Sequence, residues 1–450
     1  MSTLLIRNSE TLVTMDVKRR EISDGGLFVR NGIIEAVDTT ANLPKHADEI
    51  IDMTGCVIIP GLINTHHHFF QNLTRAVPAA QNATLFDWLH TLYPIWGRMG
   101  PEEIRISTKL ALAELALAGT TCSSDHLYIF PNGIRLDDQI EAAREVGLRL
   151  HATRGAMSIG ENNGGLPPDT LVEKETDILN DSLRVIQAYH DPLPGAFIRI
   201  GLAPCSPFSV SQELMRDTAI LAREQKVMLH THLAENEEDV RYSLDRFDQT
   251  PGNYAEGLGW TGNDVWHAHC VKLDDSEIDL FQRTGTGVAH CPSSNMRLGS
   301  GIAPLRQMRD ANVKVGLGVD GSASNDSSDL LAEARQAMLL QRVVLGGGSL
   351  SAREALEIAT IGGAEVLGRS DLGSLEVGKR ADIAAYPTKN VIMAGAWGLV
   401  AGLLFCAPLK AAYTIVEGRI VVQDSRLTTI DLEKLLATHS NLTRQLINSS

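Results

Sequence analysis

Four short stretches of this chain carry residues able to hold a metal and move protons. The first is Ile63-Asn64-Thr65-His66-His67-His68, which follows the apolar run Val57-Ile58-Ile59-Pro60-Gly61-Leu62. On a strand, residues i and i+2 point the same way, so His66 and His68 project together and His67 points away. The others are His230-Thr231-His232-Leu233-Ala234-Glu235, His267-Ala268-His269-Cys270 and Gly318-Val319-Asp320-Gly321. Each lies at the end of an apolar, strand-like run. Three histidines and one carboxylate drawn from such a set suit zinc or iron, with a position left for water. His67, His230 and His267 are expected to face away from the site and serve structure.

These residues meet only if the strand ends converge. Eight strand-like runs, 57–64, 120–124, 148–153, 197–203, 227–232, 265–270, 287–291 and 315–320, alternate with stretches of helical apolar spacing such as 104–117 and 211–224. That pattern predicts an α/β fold, a (β/α)₈ TIM-like barrel over residues 57–370, in which all strand C-termini share one rim. An open doubly wound sheet is disfavoured, because no G-x-G-x-x-G follows the first strand. The segment after that strand, 69–99, is long and aromatic: Phe69, Phe70, Phe86, Trp88, Tyr93 and Trp96. Long loops on this face cover active sites. Residues 1–56 read instead as short strands, with a hairpin signal at Asn31-Gly32. The same texture returns in 371–450, which also carries a C-terminal helix. Both ends are expected to build one small β-sandwich domain.

Composition sets further bounds. The 450 residues are 44% apolar and 21% charged, with a net charge of −15, so a basic nucleic-acid or membrane surface is not expected. The six cysteines are scattered without a C-x-x-C pair, which points to small buried hydrophobes rather than disulfides or a thiolate zinc site. No signal peptide and no apolar run of transmembrane length is read, making the cytoplasm the expected location.

Taken together, the motifs resemble the amidohydrolase superfamily, in its branch of mononuclear aromatic aminohydrolases. The likeness rests on Pro60-Gly61-Leu62-Ile63-Asn64-Thr65-His66-x-His68, His232-x-x-Glu235, Ala268-His269-Cys270, His290-Cys291-Pro292-x-x-Asn295 and Gly318-x-Asp320-Gly321. A C-terminal Gly373-Ser374-Leu375-Glu376-Val377-Gly378-Lys379-Arg380-Ala381-Asp382 also resembles the family's return to its β domain. The resemblance implies one divalent metal per chain, zinc before iron, held by His66, His68, His232 and Asp320, with His269 close by. It implies Asp320 as acceptor of the proton from water, His269 as stabiliser of the tetrahedral oxyanion, and Glu235 as proton shuttle to the leaving ammonia. The fourth strand ends Leu202-Ala203-Pro204-Cys205, without the lysine that bridges two metals in binuclear relatives. Pro204-Cys205-Ser206-Pro207 does not complete the motif of the smaller zinc deaminases.

Within the branch the chain is most similar to the 8-oxoguanine deaminases, through His66 to Arg75, Ser123 to Tyr128 and Arg154 to Ser158. The implied reaction converts 8-oxoguanine and water to urate and ammonia. Alternatives are a hydroxyatrazine-type triazine aminohydrolase or chlorohydrolase, and a guanine or isocytosine deaminase. Expected substrate contacts are Gln71, whose amide offers donor and acceptor, His126 and Arg154 at strand ends, and Trp88 and Trp96 from the covering segment. Family members are usually homo-oligomers, dimers or larger.

Overall fold

The computed structural model describes residues 2–406 and 408–448. Met1, Ala407, Ser449 and Ser450 fall in the segments expected for the terminal β domain and lie outside the described residues. Eight parallel strands close a barrel. They are β1 (Leu62–Asn64), β2 (Thr120–Leu127), β3 (Arg149–Ala156), β4 (Ile198–Pro204), β5 (Met228–Leu233), β6 (Val265–His269), β7 (Gly287–His290) and β8 (Lys314–Leu317). β8 pairs with β1 through Leu317 and Asn64 to complete the ring. Helices fill the crossovers, as parallel strands require.

The run at 57–64, expected as one barrel strand, is two strands. Cys56–Pro60 belongs to a separate sheet and only Leu62–Asn64 enters the barrel. Gly61 makes the transition where the chain passes flush against Thr121; a Cβ at Gly61 would sit 2.2 Å from the Thr121 hydroxyl oxygen. The separate sheet has nine strands and draws on both chain ends. Cys56–Pro60 runs parallel to Thr3–Val13 on one side and antiparallel to Ile383–Pro387 on the other. Leu12, Ile58, Ile383 and Ile415 share its apolar core. Arg149, at the foot of β3 and fully buried, forks onto Asp382 at 2.9 and 3.0 Å. That bidentate pair ties the barrel's base to the sheet.

The aromatic segment after β1 is ordered as short 3₁₀ turns and helix α1, Leu85–Trp96. Leu85, Trp88, Leu89, Leu92, Tyr93 and Trp96 form its buried face, a spacing that winds one apolar stripe along a helix. Among the described residues, no helix is long and apolar enough to cross a membrane.

Candidate active site

The three histidine-bearing stretches and the one carrying Asp320 meet at the C-terminal rim of the barrel. His66 Nε2 and His68 Nε2 each lie 3.3 Å from Asp320 Oδ1, and His232 Nε2 lies 3.1 Å from His68 Nε2. Their far nitrogens are committed elsewhere. His68 Nδ1 donates to the His126 carbonyl at 2.8 Å, and His232 Nδ1 donates to the Cys205 carbonyl at 2.6 Å. His230 Nδ1 donates to the Trp266 carbonyl at 2.9 Å, so its Nε2 accepts from His66 Nδ1 at 2.8 Å. A carbonyl only accepts, so these bonds fix all three tautomers. Three imidazole lone pairs and a carboxylate oxygen therefore point at one another with no proton between them.

Burial is the main force holding the imidazoles neutral. It drives His66 far below the ordinary histidine range and His232 down to about 3, with neighbouring imidazoles adding to the effect. Burial alone would raise Asp320, but His66, His269 and His68 outweigh it and keep the carboxyl well below the usual carboxylate range. Buried lone pairs facing a carboxylate repel unless a cation lies among them. The donor set thus fits a divalent metal, and neutral imidazoles with oriented second nitrogens are its usual protein ligands.

Asp320, His269 and Ala234 all have positive φ, at 62°, 72° and 51°. Such backbone is unusual for non-glycine residues and gathers at functional sites. The turn at Ala234 carries Glu235 past the strand's alternation and into the site. The turn at His269 swings its ring inward, while His267, two residues earlier, bonds the Trp260 carbonyl outside the barrel. His269 Nε2 stands 3.5 Å from Glu235 Oε2 and 3.9 Å from Asp320 Oδ2, and its Nδ1 donates to Asn295 Oδ1 at 2.9 Å. Glu235 is fully enclosed; burial raises its carboxyl to about 7, against the pull of His269. A carboxyl poised there exchanges protons in both directions near neutrality. His68, Glu235, His269 and Asp320 form one wall of a small cavity. α1 covers the opposite side with Leu85, Trp88, Leu89 and Tyr93.

Comparison with known proteins agrees with this geometry. The model of the Amidohydrolase family matches residues 57–421. The chain belongs to the amidohydrolase family. The 8-oxoguanine deaminase of Pseudomonas aeruginosa is 44% identical over 418 residues, 92% of this chain and 93% of that protein. An isoxanthopterin deaminase from an unknown prokaryotic organism is 35% identical, over 92% of this chain and 90% of its own. Among solved structures, a zinc complex of an atrazine chlorohydrolase from Arthrobacter aurescens TC1 superposes with a TM-score of 0.93 at 35% identity, covering 98% of this chain and all of that one. The family is metal-dependent, and its members here are hydrolases and deaminases.

In this amidohydrolase the expected substrate contacts divide. Gln71 and Trp88 line the cavity. Gln71 Oε1 is buried without a partner, while its Nε2 donates to the Tyr128 hydroxyl at 3.3 Å. Trp88 donates its indole N–H to the Ala323 carbonyl. Arg154 is a correction. It points away from the cavity into a bidentate pair with Glu173 at 2.8 and 2.9 Å and a further pair with Asp181, its guanidinium 3.7 Å over Phe130. Trp96 is another: it lies behind Trp88 and bonds the Thr74 hydroxyl. His126 does not line the cavity either. Its Nε2 donates to the Ala203 carbonyl, its ring stacks on His232, and its ring nitrogen lies within 4.8 Å of those of His66, His68 and His232.

Sequence reasoning also misplaced His230, which does not face away but supports His66 from inside the barrel. His230 lies two positions before His232, so strict alternation places both on one face. It missed Tyr93 and Tyr128 as cavity-lining hydroxyls. Tyr93 was visible only as one aromatic of the covering segment; its buried hydroxyl has no partner.

Proposed function

We propose that this amidohydrolase deaminates an oxidised purine, converting 8-oxoguanine and water to urate and ammonia. The observation that carries the reaction type is the enclosed set of Glu235, His269 and Asp320 at the edge of the lone-pair cluster. The substrate rests on the high identity to an 8-oxoguanine deaminase along nearly the whole chain. His66, His68, His232 and Asp320 would hold one divalent cation, zinc by analogy with the zinc-bound relative. When bound, that cation supplies Lewis-acid activation of water and of the reacting carbon's substituent.

The chain's own residues do the rest. Asp320 accepts the proton that water gives up as it adds to C2. His269 Nε2 donates toward the oxygen that gains negative charge there. Glu235 delivers its proton to the adjacent ring nitrogen, takes the second water-derived proton from the added hydroxyl as C2 becomes a carbonyl, and passes it to the amine, which departs as ammonia; the proton held by Asp320 then returns to Glu235. α1 excludes bulk water, so these charges act at short range. Gln71 Oε1 and the Tyr93 hydroxyl, buried without partners, and the Tyr128 hydroxyl, which accepts from Gln71, would read the purine edge.

Ammonia release from a panel of 8-oxoguanine, guanine, isocytosine and hydroxytriazines tests the substrate. Turnover of guanine or isocytosine alone would reassign it within the deaminases. Alkylamine or chloride release from triazines would favour the second reading, which rests on the likeness to the atrazine chlorohydrolase. Glu235→Gln tests the shuttle: metal content should persist while deamination falls by at least ~100-fold. The proposal extends to a cytoplasmic homo-oligomer. The free cysteines suit a reducing compartment, and the exposed Val391 and Trp397 suit a subunit contact. Sedimentation analysis would measure the oligomer.

A further inference from the structure

At the opposite end of the barrel, a second cavity of about 120 Å³ opens where β3, β4 and β5 begin. Its ionisable lining groups are His151, His190, Arg199 and Lys226, all bases, and no carboxylate is among them. This is unusual in a chain of net charge −15. The buried groups are underused. His151 is 3% exposed, and neither ring nitrogen has a hydrogen-bond partner. One of those nitrogens must carry a proton, so an N–H is buried with nothing to receive it. The His190 Nδ1 accepts from the Ile200 amide at 3.1 Å, which leaves its Nε2 as the protonated donor.

Arg199 bonds only carbonyls, Gly368 at 2.9 Å and Pro192 at 3.5 Å, and its Nε is unpartnered. The neighbouring acids are engaged elsewhere. Asp371 is held by Arg369 at 2.9 Å and by the Gly195 amide, and Asp191 accepts from the Leu193 amide. Partial burial disfavours the charge of Arg199, and Arg369 repels it further. Donors on buried His151 and half-buried His190 and Arg199, with uncompensated positive charge beside them, match the needs of an oxyanion, which accepts from several donors at once.

We propose that this basal cavity binds one small tetrahedral oxyanion, phosphate or sulfate. Arg199 and exposed Lys226 balance its charge, and His151 and His190 donate from the walls. The site lies at the N-terminal end of the strands, away from the catalytic rim, so occupancy would not block substrate.

Equilibrium dialysis of the metal-loaded enzyme against labelled inorganic phosphate, at constant ionic strength in chloride, tests it. One phosphate should bind per chain, saturably, with sulfate competing and chloride not. Lys226→Asn should lower the affinity at least tenfold; Lys226 has a φ of 58°, which asparagine tolerates. Arg199→Gln should do the same, and Lys226→Asn alone decides the matter if the arginine variant does not fold. Absence of saturable binding would overturn the proposal. So would binding that survives Lys226→Asn unchanged, because the phosphate would then sit elsewhere, the histidine cluster included.

Discussion

Replacing His230 by phenylalanine should weaken metal binding without touching a ligand. His230 is fully buried and stacks on Trp266 with ring centroids 4.4 Å apart, an arrangement a phenyl ring can keep. What is lost is the bond from His66 Nδ1 to His230 Nε2 at 2.8 Å. The His66 N–H is then buried without an acceptor, at a cost of about 1–3 kcal/mol, and nothing fixes which nitrogen carries the proton. Loss of such a supporting bond lowers metal affinity about 10–100-fold, equivalent to about 1.4–2.8 kcal/mol. The two figures agree. Competition of the loaded enzyme against a chromophoric chelator measures the affinity, with the circular dichroism spectrum reporting the fold. His230→Gln should recover most of the loss, because its carbonyl can accept from His66 while its amide donates to Trp266. If His230→Phe folds and holds metal as tightly as wild type, the tautomer argument for the whole cluster is wrong.

Three further outcomes follow from named contacts. Arg154→Met should leave kcat/KM unchanged but lower stability by about 1–3 kcal/mol, less than for a wholly buried pair because Glu173 and Asp181 are about a quarter exposed; a large change in KM at full stability would return Arg154 to the substrate. Gly321→Ala would place a Cβ 1.8 Å from Gln71 Oε1, so KM should rise about tenfold, the scale of one buried hydrogen bond, with metal content retained. Glu333 is buried, which raises its carboxyl to about 7 despite bonds from Ser293 and Asn325. The folded state therefore holds a proton that the unfolded chain releases near pH 4.3. Stability should fall as pH rises from there through 7, by about 2 kcal/mol between pH 5 and 7 from this group. Denaturant titrations of Glu333→Gln should show that slope removed.

The rim residues were legible because metal ligation demands particular side chains and parallel strands bring their ends together. Those two facts gathered the stretches that carry His66, His68, His232, His269 and Asp320, whereas the choice of ligands among them and the role of Glu235 came only with the family resemblance. The remainder depended on depth and on distant partners. Arg154 ends a strand like a ligand-binding residue, but Glu173 and Asp181 neutralise it from the following segment. Trp88 and Trp96 share the buried face of α1, and only the packing shows which one reaches the cavity. The apolar run through Val57 and Ile63 looks continuous, yet Gly61 divides it between two sheets. Alternation was sufficient to place His230 beside His232, whereas at His269 the backbone turn, not the alternation, sets the direction of the ring.

The seam of the terminal sheet has a bearing on how the protein is made. Val57 sits opposite Tyr386, and Pro60 opposite Ile383, on a strand that leads directly into the barrel. During translation the barrel's first strand is synthesised with one flank of its leading strand bare. That exposed edge of backbone amides and carbonyls waits until nearly the entire polypeptide has left the ribosome. Unpaired edges recruit other chains, and closing so large a loop is slow. Yield during expression should therefore respond to chaperone supply, and chains that stop short of Ile383 should aggregate rather than accumulate as folded barrels.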